Sequence, residues 1–260
     1  MLRIVLKRSK KPLRCLEISN RNGLHKAICD EDGDIYTGLW KDNEKHGFGI
    51  QESIKDKITY RGSWKNGRKH GEGLLYRSNT LSEFLYKGEW EKDKRNGQGI
   101  NFYEDGGRYE GAWKKDKRHG CGQMDYSDGS IYVGSWKHDQ RSGFGKMWFA
   151  DGSTYEGDWK NGKRHGKGTM ITKKQDKHEG FWKNDQKHGE GKFSIHENGL
   201  EFTGLWINDN FCCGFLELKN PDAPFPMKLK IPKWTLMKPE EVITNAKKYY
   251  IEKSVMEAQK

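Results

Sequence analysis

Tyr155-Glu156-Gly157-Asp158-Trp159-Lys160-Asn161-Gly162-Lys163-Arg164-His165-Gly166-Lys167-Gly168 is the stretch that decides the fold. Versions of it recur eight times. The opening Tyr-x-Gly-x-Trp falls at Tyr36, Tyr60, Tyr86, Tyr109, Tyr132 and Tyr155, then with a changed first residue at His178 and Phe202. Successive starts are 24, 26, 23, 23, 23, 23 and 24 residues apart, and a period in this range marks a repeat architecture. A residue found in every copy is therefore structural until something distinguishes it.

Within one unit, Tyr155, Gly157 and Trp159 alternate, so on a strand all three point to one face. The Gly between two large rings leaves room for a neighbouring aromatic to lie against bare backbone. Three residues after each Trp stand Asn43, Gly67, Asp93, Asp116, Asp139, Gly162, Asp185 and Asp209. All are types that accept the positive φ of a tight hairpin turn. The chain returns through Gly-x-Gly, also read as alternate strand positions. It then turns again, through Asp32-Gly33, Asp105-Gly106, Asp128-Gly129, Asp151-Gly152 and Asn198-Gly199 in five of the eight units. Two strands and two turns in this span leave no room for a helix, so each unit is a β-hairpin.

A lone hairpin is not stable, so the units must stack edge to edge. The predicted fold is all-β: an elongated, single-layer, twisted β-meander on the order of 75 Å long at one strand spacing per strand. Its core is the row Tyr36, Trp40, Tyr60, Trp64, Tyr86, Trp90, Tyr109, Trp113, Tyr132, Trp136, Tyr155, Trp159, Trp182 and Trp206. Met124, Met147 and Met170, in phase with the glycines, are expected to pack beside it. In the eighth unit Cys213 and Phe215 stand where Gly-x-Gly is expected, as suits a terminal repeat.

Tyr-x-Gly-x-Trp followed by Gly-x-Gly at this period resembles the MORN repeat (membrane occupation and recognition nexus), over about residues 22–215. The resemblance implies a meander without enzymatic activity, used as a scaffold, often in cilia, flagella, sperm and other cytoskeletal structures.

Three regions follow: a basic N-terminal arm over 1–21, the repeat array over 22–215, and a tail over 216–260. Arg3, Lys7, Arg8, Lys10, Lys11 and Arg14 precede any acid in the arm. It reads as mobile or ordered by a partner; a mitochondrial presequence would need more Ser. Residues 22–34 read as the return strand of a partial unit that blunts the first edge. The three extra residues of the second unit make a longer loop around Ser78–Ser82. In the tail, Pro221, Pro224, Pro226 and Pro232 predict an extended run, and Pro239-Glu240-Glu241 starts a helix. That helix either folds back on the open end of the array or recruits a partner.

Only 33% of the residues are hydrophobic and mean hydropathy is −1.06, which taken alone leans toward disorder. The aromatic and Gly content instead suits a thin core with much surface. Cys15, Cys29, Cys121, Cys212 and Cys213 form no metal or disulfide spacing and read as reduced thiols of a cytoplasmic protein. No apolar run reaches transmembrane length.

The net charge of +11 is periodic. Lys45, Lys69, Arg95, Arg118, Arg141, Arg164 and Lys187 each fall five residues after a Trp, and Phe211 breaks the series. Lys41, Lys65, Lys114, Lys137, Lys160 and Lys183 directly follow a Trp. Both sets belong to one series of turns and predict a basic edge with cations about every 10 Å. Such an edge suits an acidic partner: tubulin or another axonemal or sperm cytoskeletal protein, or an anionic membrane met peripherally. Solubility of exposed turns would account for the same lysines. Homo-oligomers are also compatible with the pattern.

Catalysis finds no support. His46, His70, His119, His165 and His188 each precede a repeat Gly, about 10 Å apart and too far to share a metal. No acid stands out from the repeat, the Gly-x-Gly pairs precede no helix, and no cofactor motif is present. Nucleic acid is not expected either, because the rings are needed for packing and are not free to stack on bases. A scaffold and a peripheral membrane adaptor remain.

Overall fold

The computed structural model describes residues 21–30, 33–78, 83–197 and 199–219, with Thr244 and Lys248. The basic arm before Arg21, the loop over residues 79–82, the proline-rich run and nearly all of the tail helix lie outside the described residues. Thr244 and Lys248 are themselves helical. The rest is β: seventeen strands in one open antiparallel sheet. The hairpin reading of the repeat therefore holds. Among the described residues no helix is long and apolar enough to cross a membrane. Two compact units divide the chain, one reaching Glu83 and including Trp90–Asp93, the other made of Phe84–Glu89 and Lys94 onward.

The first unit contains β1 (Gly23–Cys29), β2 (Ile35–Lys41), β3 (Glu44–Ser53), β4 (Ile58–Lys65) and β5 (Arg68–Arg77). Strand β1 pairs with β2 from Gly23 opposite Trp40 to Cys29 opposite Ile35, as expected for a partial leading unit. The turns after Trp40 and Trp64 have two central residues, Asp42-Asn43 and Asn66-Gly67, all with φ between 50° and 73°. Two consecutive positive φ values make the primed turn whose twist matches that of the paired strands. Tyr36, Trp40, Tyr60, Trp64 and Trp90 are buried. Their rings alternate edge to face, with centroids 5.1–5.4 Å apart.

The second unit begins with residues 84–89 of β6 (Phe84–Glu91). It continues through β7 (Lys94–Phe102), β8 (Arg108–Lys114), β9 (Lys117–Asp125), β10 (Ile131–Lys137), β11 (Gln140–Trp148) and β12 (Thr154–Lys160). Strands β13 (Lys163–Ile171), β14 (Lys177–Lys183), β15 (Gln186–Ser194), β16 (Leu200–Ile207) and β17 (Asn210–Leu218) complete it. The turn residues at Trp plus two and Trp plus three are again both at positive φ, from Lys115-Asp116 to Asn208-Asp209. The residue type three after each Trp thus forecast its backbone in every unit.

One row of glycines crosses the strands of this unit in register. Gly99 faces Gly111, Gly111 faces Gly122, and the pairing continues through Gly134, Gly145, Gly157, Gly168, Gly180, Gly191 and Gly204 to Gly214. Each Tyr ring lies flat across the Gly–Gly pair of its own hairpin. A Cβ on Gly122 would stand 2.3 Å from the Tyr109 hydroxyl and one on Gly145 the same distance from that of Tyr132. The hydroxyl donates to the carbonyl three residues on, Tyr109 to Ala112 and Tyr132 to Ser135 at 3.0 and 3.1 Å. Each Trp then bridges two hairpins. Trp113, Trp136, Trp159 and Trp182 donate Nε1–H to Gly99, Gly122, Gly145 and Gly168 carbonyls at 3.1–3.2 Å. A Trp ring therefore packs on the Tyr of its own hairpin and on that of the preceding one.

The structure departs from simple alternation at two places. The first Gly of each Gly-x-Gly does not simply alternate with the second along a strand. It sits in a β-bulge, where three residues (His119-Gly120-Cys121, for example) face one residue of the outgoing strand. Gly120, Gly143 and Gly166 accordingly have φ of 65–75°. The first Gly supplies a backbone angle and the second supplies space. In the last hairpin the row is completed by Gly214, not interrupted by Cys213 and Phe215, because the register shifts between Leu205 and Trp206. Here Leu200, Phe202 and Trp206, with Phe193, Ile195, Phe211 and Leu218 against them, make a denser apolar cluster.

Candidate interaction surface

The seven periodic cations do not stand out from the turns. Each folds back onto the aromatic row and over the Trp of the next hairpin; six also lie over the Tyr of their own hairpin, and Lys187 over Phe193. In the second unit the guanidinium carbons of Arg95, Arg118, Arg141 and Arg164 lie 4.3–4.4 Å from the Trp113, Trp136, Trp159 and Trp182 ring centroids. Lys187 sits 4.6 Å from the centroid of Trp206. In the first unit Lys45 and Lys69 take the same place over Trp64 and Trp90, at 5.1 and 5.2 Å. Attraction between a cation and a ring face is strongest over Trp, so these side chains close the aromatic row against water as well as carrying charge. Burial lowers the pKa of Lys45 and Lys187 and raises that of Tyr36 to about 12.

The turn aspartates have a second role that composition alone did not disclose. Oδ1 of Asp116, Asp139 and Asp185 accepts hydrogen bonds from the backbone N–H of Arg95, Arg118 and Arg164 at 2.9 Å, and from their Nε at 3.1–3.3 Å. Nη2 of each arginine donates to the carbonyl of the same aspartate. Asp93 and Asp209 hold the backbone N–H of Lys69 and Lys187 in the same way. Each turn is thereby clasped by the cation of the hairpin before it. The shared spacing from Trp, plus five for the cation and plus three for the Asp of the next unit, was the available signal.

The lysines that follow Trp directly behave differently. Lys41, Lys65, Lys114, Lys137, Lys160 and Lys183 are all exposed at the turns. On the opposite sheet face of the second unit a groove of 630 Å³ runs between Phe144 and Ile171. Its charges are paired internally, Lys146 with Glu156 at 2.9 Å and Lys177 with Glu179 at 2.6 Å. The exposed lysines after Trp therefore place positive charge at the turn edge of each unit.

Of the repeat histidines, His119 lies 5.7 Å from His138, ring to ring. No group of three or more His, Cys, Asp or Glu able to hold a metal occurs among the described residues.

The sequence profile of the MORN repeat matches residues 36–53, 60–80, 86–108, 109–131, 132–154, 155–177 and 178–195. Such repeats are generally modules for interaction with proteins or membranes and are typically not enzymes. The hairpin that starts at Phe202 falls outside these matches although it is formed. No curated protein matches the chain. Among solved structures, the SAS-4 (dCPAP) TCP domain of Drosophila melanogaster, in complex with a proline-rich motif of Ana2 (dSTIL), is similar at 8% identity. The alignment covers 79% of this chain and 99% of that one, with a TM-score of 0.30. The TCP10 domain of Danio rerio CPAP, in complex with a STIL peptide, is similar at 9% identity over 74% of this chain and 96% of that one, with a TM-score of 0.30. With seven matched repeats spread over more than half its length, the chain belongs to the MORN-repeat family.

Proposed function

We propose that this chain is a non-catalytic scaffold that holds acidic protein partners along the turn edge of its repeats. The carrying observation is the exposed Lys114, Lys137, Lys160 and Lys183, one on each of four successive hairpins of the second unit. Beside them lie the ring-stacked Arg95, Arg118, Arg141, Arg164 and Lys187, and in the first unit Lys45 and Lys69 form the corresponding pair. Burial of the rings supports protein over nucleic acid, since none of the repeat Trp or Tyr is open to stack on a base.

The setting we infer is cytoplasmic and cytoskeletal, in cilia, flagella or sperm, with tubulin or another axonemal component as the partner. Arg21-Asn22-Gly23-Leu24 and the proline-rich tail resemble MORN repeat-containing protein 3, and this resemblance motivates the setting. A peripheral adaptor for anionic phospholipid is the second reading, because the same exposed lysines would meet headgroups.

Stepwise extraction of ciliated or sperm cells separates the two. Retention through non-ionic detergent with release by high salt is expected, and this retention should be lost in the triple variant Lys114→Glu, Lys137→Glu, Lys160→Glu. Release by detergent would replace the scaffold reading with the membrane one. Release by buffer alone would reduce the edge to a solubility feature.

A further inference from the structure

Three of the four arginines over the tryptophans are closed by a carboxylate, and one is not. Arg141 has the pose of its sisters: its guanidinium is 4.3 Å from the Trp159 centroid, Nη1 lies 3.7 Å from Met147 Sδ, and Nη2 donates to the Gly162 carbonyl at 2.8 Å. Its own carbonyl accepts from Gly162 N–H at 2.9 Å, as in the other clasps. The turn residue, however, is Gly162 in place of an aspartate. Gly162 has the φ of its Asp counterparts, 78° against 67–71°, and a Cβ built on it would meet nothing within 4 Å. The backbone N–H and Nε of Arg141, which in Arg95, Arg118 and Arg164 share one carboxylate oxygen, therefore have no acceptor from this turn.

The surroundings favour an incoming anion. Gly162 is flanked by Lys160 and Lys163, both exposed. A cleft of 420 Å³ opens beside Arg141 between Trp159, Phe149 and Met170. The two acids that line it are engaged elsewhere: Asp185 with Arg164 at 3.1 Å, and Asp151 with the backbone N–H and hydroxyl of Ser153. The first unit also has a glycine turn, at Gly67, but there the Lys45 ammonium donates to Gln51 Oε1 at 3.1 Å and offers no planar fork.

We infer that Arg141, through its backbone N–H and Nε, is a receptor for a carboxylate side chain, an Asp or Glu of a partner polypeptide. This carboxylate takes the place that the turn aspartate fills in the sister hairpins. The assignment to a carboxylate follows from those hairpins, where one carboxylate oxygen meets the same two donors three times over. It rests on the acidic-partner reading of the turn edge and deepens it, because it picks one position out of seven that the repeat makes look alike.

The test uses the full chain and a fluorescein-labelled oligo-glutamate peptide, with binding read by anisotropy. Gly162→Asp supplies an internal carboxylate and should weaken binding on the order of tenfold, as loss of a charge-assisted contact does. Lys163→Gln changes net charge by the same amount and should weaken it much less. Asp139→Gly opens the equivalent position at Arg118 and should strengthen binding. Equal losses in Gly162→Asp and Lys163→Gln would overturn the inference and leave the basic-edge reading standing. Absence of peptide binding by the unaltered chain would overturn both. Displacement by inorganic phosphate in preference to glutamate, still sensitive to Gly162→Asp, would overturn the carboxylate assignment. Thermal denaturation of each variant checks folding, and Gly162→Asp should not melt below the parent.

Discussion

The two faces of the sheet in the second unit are made by the same strands and obey different rules. On one face Tyr109, Tyr132 and Tyr155 are completely shut off from solvent; on the other, Phe144 is 60% exposed and Val133 41%. A single layer has no second layer to bury its side chains. The closed face manages without one because its rings lie down. Glycine opposite glycine leaves bare backbone for each Tyr, each Trp fills the step to the next, and Arg and Met side chains roof the row. On the other face side chains stand up from the sheet, and apolar rings such as Phe144 remain wet. Stability is thus concentrated on one side, and tolerance to change on the other.

Gly122→Val should cost the closed face most. Its side chain would enter the space of the Tyr109 ring, and a loss of about 3 kcal/mol or more is expected from overpacking. Urea denaturation followed by Trp fluorescence measures it; a loss below about 1 kcal/mol would show that the ring can stand elsewhere.

Acid should damage the closed face at one place. His178 replaces the repeat Tyr, neither ring nitrogen has a hydrogen-bond partner, and burial, aided by the Lys187 and Arg164 charges, pushes its pKa down to about 3. The folded pKa lies below the unfolded one, so stability is full above about pH 6.5 and falls as pH drops toward 3. At pH 4.5 the loss from this group is on the order of 3 kcal/mol. His178→Tyr should abolish that part of the acid sensitivity, seen as a flatter melting temperature between pH 7 and about 4.5.

Removing one clasp should weaken the rim of the closed face. Asp139→Ala takes the acceptor from two donors of Arg118 and is expected to cost about 1–2 kcal/mol by denaturation. Phe144→Ser, on the open face, should change stability by no more than about 0.5 kcal/mol. A loss as large as that of Gly122→Val would mean that the two faces are not independent.

Much of this was legible in advance, and the reason is local chemistry. Tyr36 to Trp206 could be read as one row because strand alternation places them there, and Asp116 or Gly162 announced its turn because few residues accept positive φ. The direction of a side chain was harder to read. Arg118 was expected along an edge from its distance to Trp113, yet it turns inward because Trp136 and Asp139, from the following hairpin, offer it a ring face and a carboxylate. Those partners are remote in sequence and visible only once the register between hairpins is known. The bulge at Gly120 was missed for a related reason: alternation counts residues, and a bulge changes the count. Gly214 was overlooked because the shift after Leu205 moves the last strand by one position.

The clasp also gives the array a direction. From Trp64 to Trp206 each repeat Trp reaches back to the carbonyl of an earlier glycine, and the cations reach forward to the next turn, so the joints are head to tail and never symmetric. A duplicated cassette inserted in phase between two units would find both halves of its joint already present. One placed after β17 would not, because Phe211 stands at the cation's position and spends its ring on Trp206 and Phe202, at 5.2 and 5.8 Å. The array can grow by copying from within, while at its last hairpin a single residue acts as a stop codon written in packing.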